Sequence, residues 1–109
     1  MVKRMILVGA LLAACDREAS TDGPKVFAAY CSMCHGPTGQ PPAEMVARLS
    51  VRDLTSRELR ARVSPELVEA QVRTGSKNGL MPSFVGTISN AQIKAVSAWV
   101  ASPAFVAPR

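Results

Sequence analysis

The chain has a single histidine, His35, and only three cysteines, Cys15, Cys31 and Cys34. A four-ligand zinc site built from these side chains would need Cys15 beside the other three, and Cys15 lies in a different kind of segment. No titratable group with a catalytic neighbour stands out elsewhere, which argues against an enzyme. Aromatic residues are also scarce: Phe27, Tyr30, Phe84, Trp99 and Phe105 are all there are in 109 residues. So short a chain buries little core by itself and leaves room for one domain. The longest apolar run, residues 5–14, is about half of the roughly 20 residues that a membrane-spanning helix requires. The formal charge is +5, yet no basic stripe interleaved with aromatics accompanies it, so the charge argues only weakly for nucleic acid and no nucleic-acid partner is expected. Without Lys3 and Arg4, which precede the apolar run, the charge falls to +3. No repeat or low-complexity tract interrupts the rest.

What is present is concentrated in Cys31-Ser32-Met33-Cys34-His35. Two thiols three residues apart, followed at once by an imidazole, have the spacing that attaches one haem c through both vinyl groups while the histidine ligates its iron. On one helical turn the three side chains share a side. A redox Cys-x-x-Cys would want a preceding strand and a βαβ pattern, whereas residues 23–30 read as helix. A large apolar haem would also complete a core short of aromatics.

Further along, Gly79-Leu80-Met81-Pro82 supplies a second fixed point. With these two motifs, residues 23–102 resemble a small class I cytochrome c of the single-haem type. The resemblance implies an all-α fold of three to five helices around one covalent haem, with the first and last helices crossing near Phe27 and Trp99. It implies that Cys31 and Cys34 form the thioethers, that His35 is the proximal iron ligand and that Met81 is the distal one. It also places Leu54 in the haem crevice and gives the second ring nitrogen of His35 a carbonyl near Pro41 or Pro42. Pro82 agrees with the role of Met81, because a residue before proline is pushed out of the helical region. Met33 is too close to His35 in sequence to reach the opposite haem face, and Met45 reads as packing.

Local signals mark the elements. Asp22-Gly23-Pro24 opens the first helix, residues 43–49 form a short one, Ser64-Pro65-Glu66 caps another that Gly75 stops, and Ser89 with Gln92 caps the last. Leu67, Val68 and Val72 are expected to face inward. Ile88 and Ile93 are spaced as a hydrophobic staple.

The start of the chain has the shape of an export signal: a basic stretch, an apolar run, then Asp16-Arg17-Glu18. Leu12-Ala13-Ala14-Cys15 resembles a bacterial lipobox, which implies cleavage of residues 1–14, acylation of Cys15 and a flexible tether over 15–22 before the haem domain at 23–109. The expected protein is a monomeric electron carrier. It is lipid-anchored on the periplasmic face of the inner membrane and docks transiently with redox partners such as respiratory complexes. Arg73, Lys77 and Lys94 are candidate docking charges. The competing class is a haem sensor or small-ligand binder in which Met81 is easily displaced.

Overall fold

A computed structural model describes residues 20–108. The expected leader, Cys15 and most of the tether lie outside the described residues. Six helices and one 3-10 turn follow one another: α1 (Gly23–Tyr30), α2 (Ser32–His35), α3 (Ala43–Leu49), α4 (Arg57–Arg62), α5 (Pro65–Thr74), α6 (Asn90–Ala101) and the 3-10 turn Pro103–Val106. The described residues contain no strand beyond an isolated bridge between Val85 and Ile88.

The caps expected from sequence are in place. Ser64 accepts from the Leu67 amide at 3.1 Å and Pro65 occupies the first turn of α5. At α6, Ser89 accepts from the Gln92 amide at 3.1 Å while the Gln92 side chain accepts from the Ser89 amide at 2.9 Å. Gln92 is buried and its Nε2 also donates to the Ser20 carbonyl at 3.0 Å, which fastens the lead-in to the domain. The count exceeds three to five for two reasons. Cys31 departs from helical geometry (φ −118°), so the attachment motif becomes a one-turn helix of its own, α2. Helix α4 is the other addition; Ser56 caps it through the Leu59 amide at 3.2 Å, and Leu59 is its one buried residue.

Val26 and Phe27 of α1, Val72 of α5, Ile93, Val96 and Val100 of α6, with Ile88 and Phe105, form the buried core. Helix α6 is the shared partner of α1 and α5. Its approach to α1 depends on Gly23, where a Cβ would lie 2.6 Å from both the Ala95 carbonyl oxygen and the Trp99 Cβ. Only a residue without a side chain permits that crossing. The expected meeting of Phe27 and Trp99 is mediated by Phe105, whose ring stands edge-on to Phe27 at 5.2 Å and to Trp99 at 5.7 Å. Of the three residues expected inside α5, Val72 is buried and Val68 packs partly against the core, but Leu67 is exposed. It lies in the first turn of α5, outside the set of residues that meets the core.

Arg60 ties the far end of α6 to the middle of the chain. Its guanidinium donates to the carbonyls of Val100 at 2.7 Å, Ser102 at 3.0 Å and Leu54 at 3.4 Å, and lies 5.5 Å from the centroid of the Phe105 ring. Ser97, on the inner side of α6, is buried with a hydroxyl that has no hydrogen-bond partner.

Candidate haem-attachment site

The attachment turn is built by main-chain bonds that carry the helix through its break. The Cys31 amide donates to the Phe27 carbonyl at 2.9 Å, and the His35 amide to the Cys31 carbonyl at 3.0 Å. Cys31, Cys34 and His35 are all half-buried, and neither thiol is in a disulfide. Burial, and secondarily the neighbouring Cys34, pushes the Cys31 thiol up to about 11. Met33, between the thiols, is 82% exposed and points away from any shared centre.

The second nitrogen of His35 does not bond near Pro41 or Pro42. Its Nδ1 lies 3.1 Å from the carbonyl oxygen of Arg52, so that nitrogen carries the hydrogen and donates. The reason is main-chain geometry: the Leu54 amide donates to the Gly39 carbonyl at 2.9 Å, which draws the segment around Arg52 alongside the imidazole. Burial lowers the His35 pKa, with the Arg52 bond opposing that shift in part. A neutral imidazole whose Nδ1 is engaged leaves the Nε2 lone pair available to a metal, and the carbonyl partner fixes the ring and raises its donor strength.

Cys31, Leu54 and Met81 all pack partly against the same core cluster. Residues from three separate stretches thus each border that core. Met45, half-buried in α3, is not part of that cluster. Gly75, at φ +71°, lets the chain turn back beneath Met81, where a Cβ would lie 2.6 Å from the Met81 carbonyl oxygen. Among the described residues, no three His, Cys, Asp or Glu side chains could together hold a metal ion. An imidazole with Nδ1 engaged, beside two thiols spaced for covalent attachment, is a donor set that fits a haem, and the Met81 thioether is the candidate second donor.

A family model described as cytochrome c oxidase, cbb3-type, subunit III matches residues 18–100. The chain belongs to this family of c-type cytochromes. As a class I c-type cytochrome it carries covalently bound haem c with iron and serves electron transfer with redox protein partners. Among solved structures it is similar to one named KustC0563 c-type cytochrome, at 28% sequence identity and a TM-score of 0.64, over 73% of this chain and 94% of that one. No curated protein matches. The all-α fold expected from the two motifs is thus the fold of this c-type cytochrome.

Several parts of the site left no mark in the sequence reading. The Arg52 carbonyl is a main-chain atom with no residue signature. Arg60 carries no motif that marks its ties to Val100 and Ser102. Arg73 and Lys94, expected as docking charges, both turn to Glu69, at 3.1 and 3.3 Å. Lys77 is exposed and makes no ion pair among the described residues.

Proposed function

We propose that Cys31 and Cys34 hold the haem through thioethers, that His35 and Met81 are its axial iron ligands, and that the protein is an electron carrier rather than an enzyme. When bound, haem supplies a one-electron iron couple. The observation that carries the reading is the His35 ring, held at Nδ1 by the Arg52 carbonyl so that Nε2 is the nitrogen left for a metal, on the same turn as the two thiols. Cys31 and Cys34 would hold the haem covalently at the junction of α1 and α2. The Met81 thioether, a soft donor, would favour the reduced state. Ligation by His and Met in both oxidation states leaves little to rearrange, which suits transfer to a transiently docked protein.

The domain is exported, as is typical of its family, with residues 1–14 as a cleaved signal and 15–22 as a tether. A lipid on Cys15 anchors it to the periplasmic face of the inner membrane, where respiratory complexes are the partners. Among the described residues no helix is long and apolar enough to cross a membrane. The apolar run at residues 5–14 is about half of the roughly 20 residues a span requires, so the Cys15 lipid is the anchor to test: Cys15→Ala releases the haem domain from membranes, or blocks processing.

The ligand set is tested on protein matured with its haem. Haem in the unmodified protein resists acid-acetone extraction, and the ferric spectrum shows the methionine-to-iron charge-transfer band. Met81→Ala erases that band, lets the reduced protein bind carbon monoxide and lowers the reduction potential; Met45→Leu does none of these. Extraction of all haem by acid-acetone would end the covalent reading. A missing band with immediate carbon monoxide binding in the unmodified protein would favour the ligand-binding sensor instead.

A further inference from the structure

Met81 stands at the end of a short strap that is closed within the chain itself. The Ser76 hydroxyl donates to Asn78 Oδ1 at 2.6 Å and accepts from the Met81 amide at 3.0 Å. Asn78 Oδ1 also accepts from the Leu80 amide at 3.0 Å. Two main-chain bonds complete the ring: the Ser76 amide to the Met81 carbonyl at 2.9 Å, and the Gly79 amide to the Ser76 carbonyl at 3.0 Å. Asn78 is exposed, Ser76 is half-buried, and neither belongs to the core cluster. The side-chain bonds of these two residues all serve the strap.

We propose that Ser76 and Asn78 are positioning residues for the distal ligand, holding the Met81 thioether at the iron by fixing the backbone on its approach. They touch neither the haem nor the sulfur. An open loop loses conformational freedom each time its methionine binds, whereas a closed strap has lost it already. The strap therefore shifts the balance between iron-bound and detached Met81 toward the bound form. The geometry also names the atom that matters. Asn78 contributes only an acceptor oxygen, with two hydrogens directed at it, so a carboxylate can replace the amide and an alkyl group cannot.

This inference rests on Met81 being the iron ligand, and the test separates the two. Carbon monoxide is the probe, added to the reduced, haem-loaded protein, for Ser76→Ala, Asn78→Ala, Asn78→Asp and Met81→Ala. Carbon monoxide binding by Ser76→Ala and Asn78→Ala is expected to be roughly 5- to 30-fold faster than by the unmodified protein, the factor that loss of one or two modest hydrogen bonds implies. Their ferric methionine band should fade at lower temperature than the far-ultraviolet dichroism does. Asn78→Asp should stay within about twofold of the unmodified protein, because its acceptor is kept. Hydrogen exchange at the Met81 amide should speed up in the two alanine variants, a readout independent of ligation. Unchanged carbon monoxide binding in both alanine variants, or an Asn78→Asp that behaves like Asn78→Ala, overturns the proposal. If Met81→Ala itself leaves the band and carbon monoxide binding unchanged, the ligand assignment falls and this inference with it.

Discussion

Replacing Arg60 with Met keeps most of the apolar stem and removes only the guanidinium, so the change isolates the polar ties between the middle of the chain and the end of α6. Two of those ties, to Val100 at 2.7 Å and Ser102 at 3.0 Å, have good geometry, while the one to Leu54 at 3.4 Å is long. A hydrogen bond from a charged donor contributes about 1.5–3 kcal/mol, and a partly exposed guanidinium over an aromatic ring adds about 0.5–1 kcal/mol. Arg60 is half-buried, so water replaces part of what is lost. The net expectation is a loss of about 2–4 kcal/mol, or roughly 10–20 °C in melting temperature for a domain of this size. The assay is thermal unfolding of the haem-loaded protein, followed by far-ultraviolet dichroism with a denaturant titration beside it. Arg60→Lys should fall between, since an ammonium cannot reproduce the planar fork that reaches two carbonyls. A melting temperature for Arg60→Met within about 2 °C of the unmodified protein would mean that the ties contribute almost nothing net, and would refute the reasoning.

Ser97→Ala removes a buried hydroxyl that has no partner, so it should leave stability unchanged or raise it by up to about 1 kcal/mol, read as a higher denaturant midpoint; a clear loss would mean that the hydroxyl is bonded in solution. Glu69 has its pKa lowered below the ordinary 4.5, chiefly by the hydrogen bond from Arg73 and also by Lys94. A lowered folded-state pKa gives stability that is present above the unfolded value and is lost as pH falls through the folded one. Glu69→Gln should therefore cost a little near pH 7 and nothing once the pH is well below 4.5, so the two stability curves converge in acid; parallel curves down through that range would contradict the pairing.

The local devices were legible because each is written in adjacent side chains. Ser64 before Pro65, Ser89 three residues before Gln92, and the two cysteines before His35 each state their structure within five residues. What stayed hidden depends on distant chain segments. Helix α4 buries only Leu59, so no apolar period announces it. Phe105 follows the proline that ends α6, and its place between Phe27 and Trp99 exists only after α1 and α6 have crossed. Leu67 was misplaced because a period of 3.6 fixes which residues share a side, but not where along the helix the neighbouring element stops. Among the methionines, the resemblance singles out Met81, which packs partly against the core cluster, while Met33 stands in solvent.

The acceptor for His35 is the carbonyl of Arg52, and the bond that brings it there joins two further main-chain groups, on Gly39 and Leu54. The identity of side chain 52 is therefore uncoupled from the orientation of the imidazole. Substitutions at this position can accumulate with no selection from the iron centre, provided the backbone path is kept, whereas a one-residue insertion or deletion between Gly39 and Leu54 would move the acceptor away. Among descendants of this sequence, the constraint would be visible as a fixed loop length and invisible as a preferred residue.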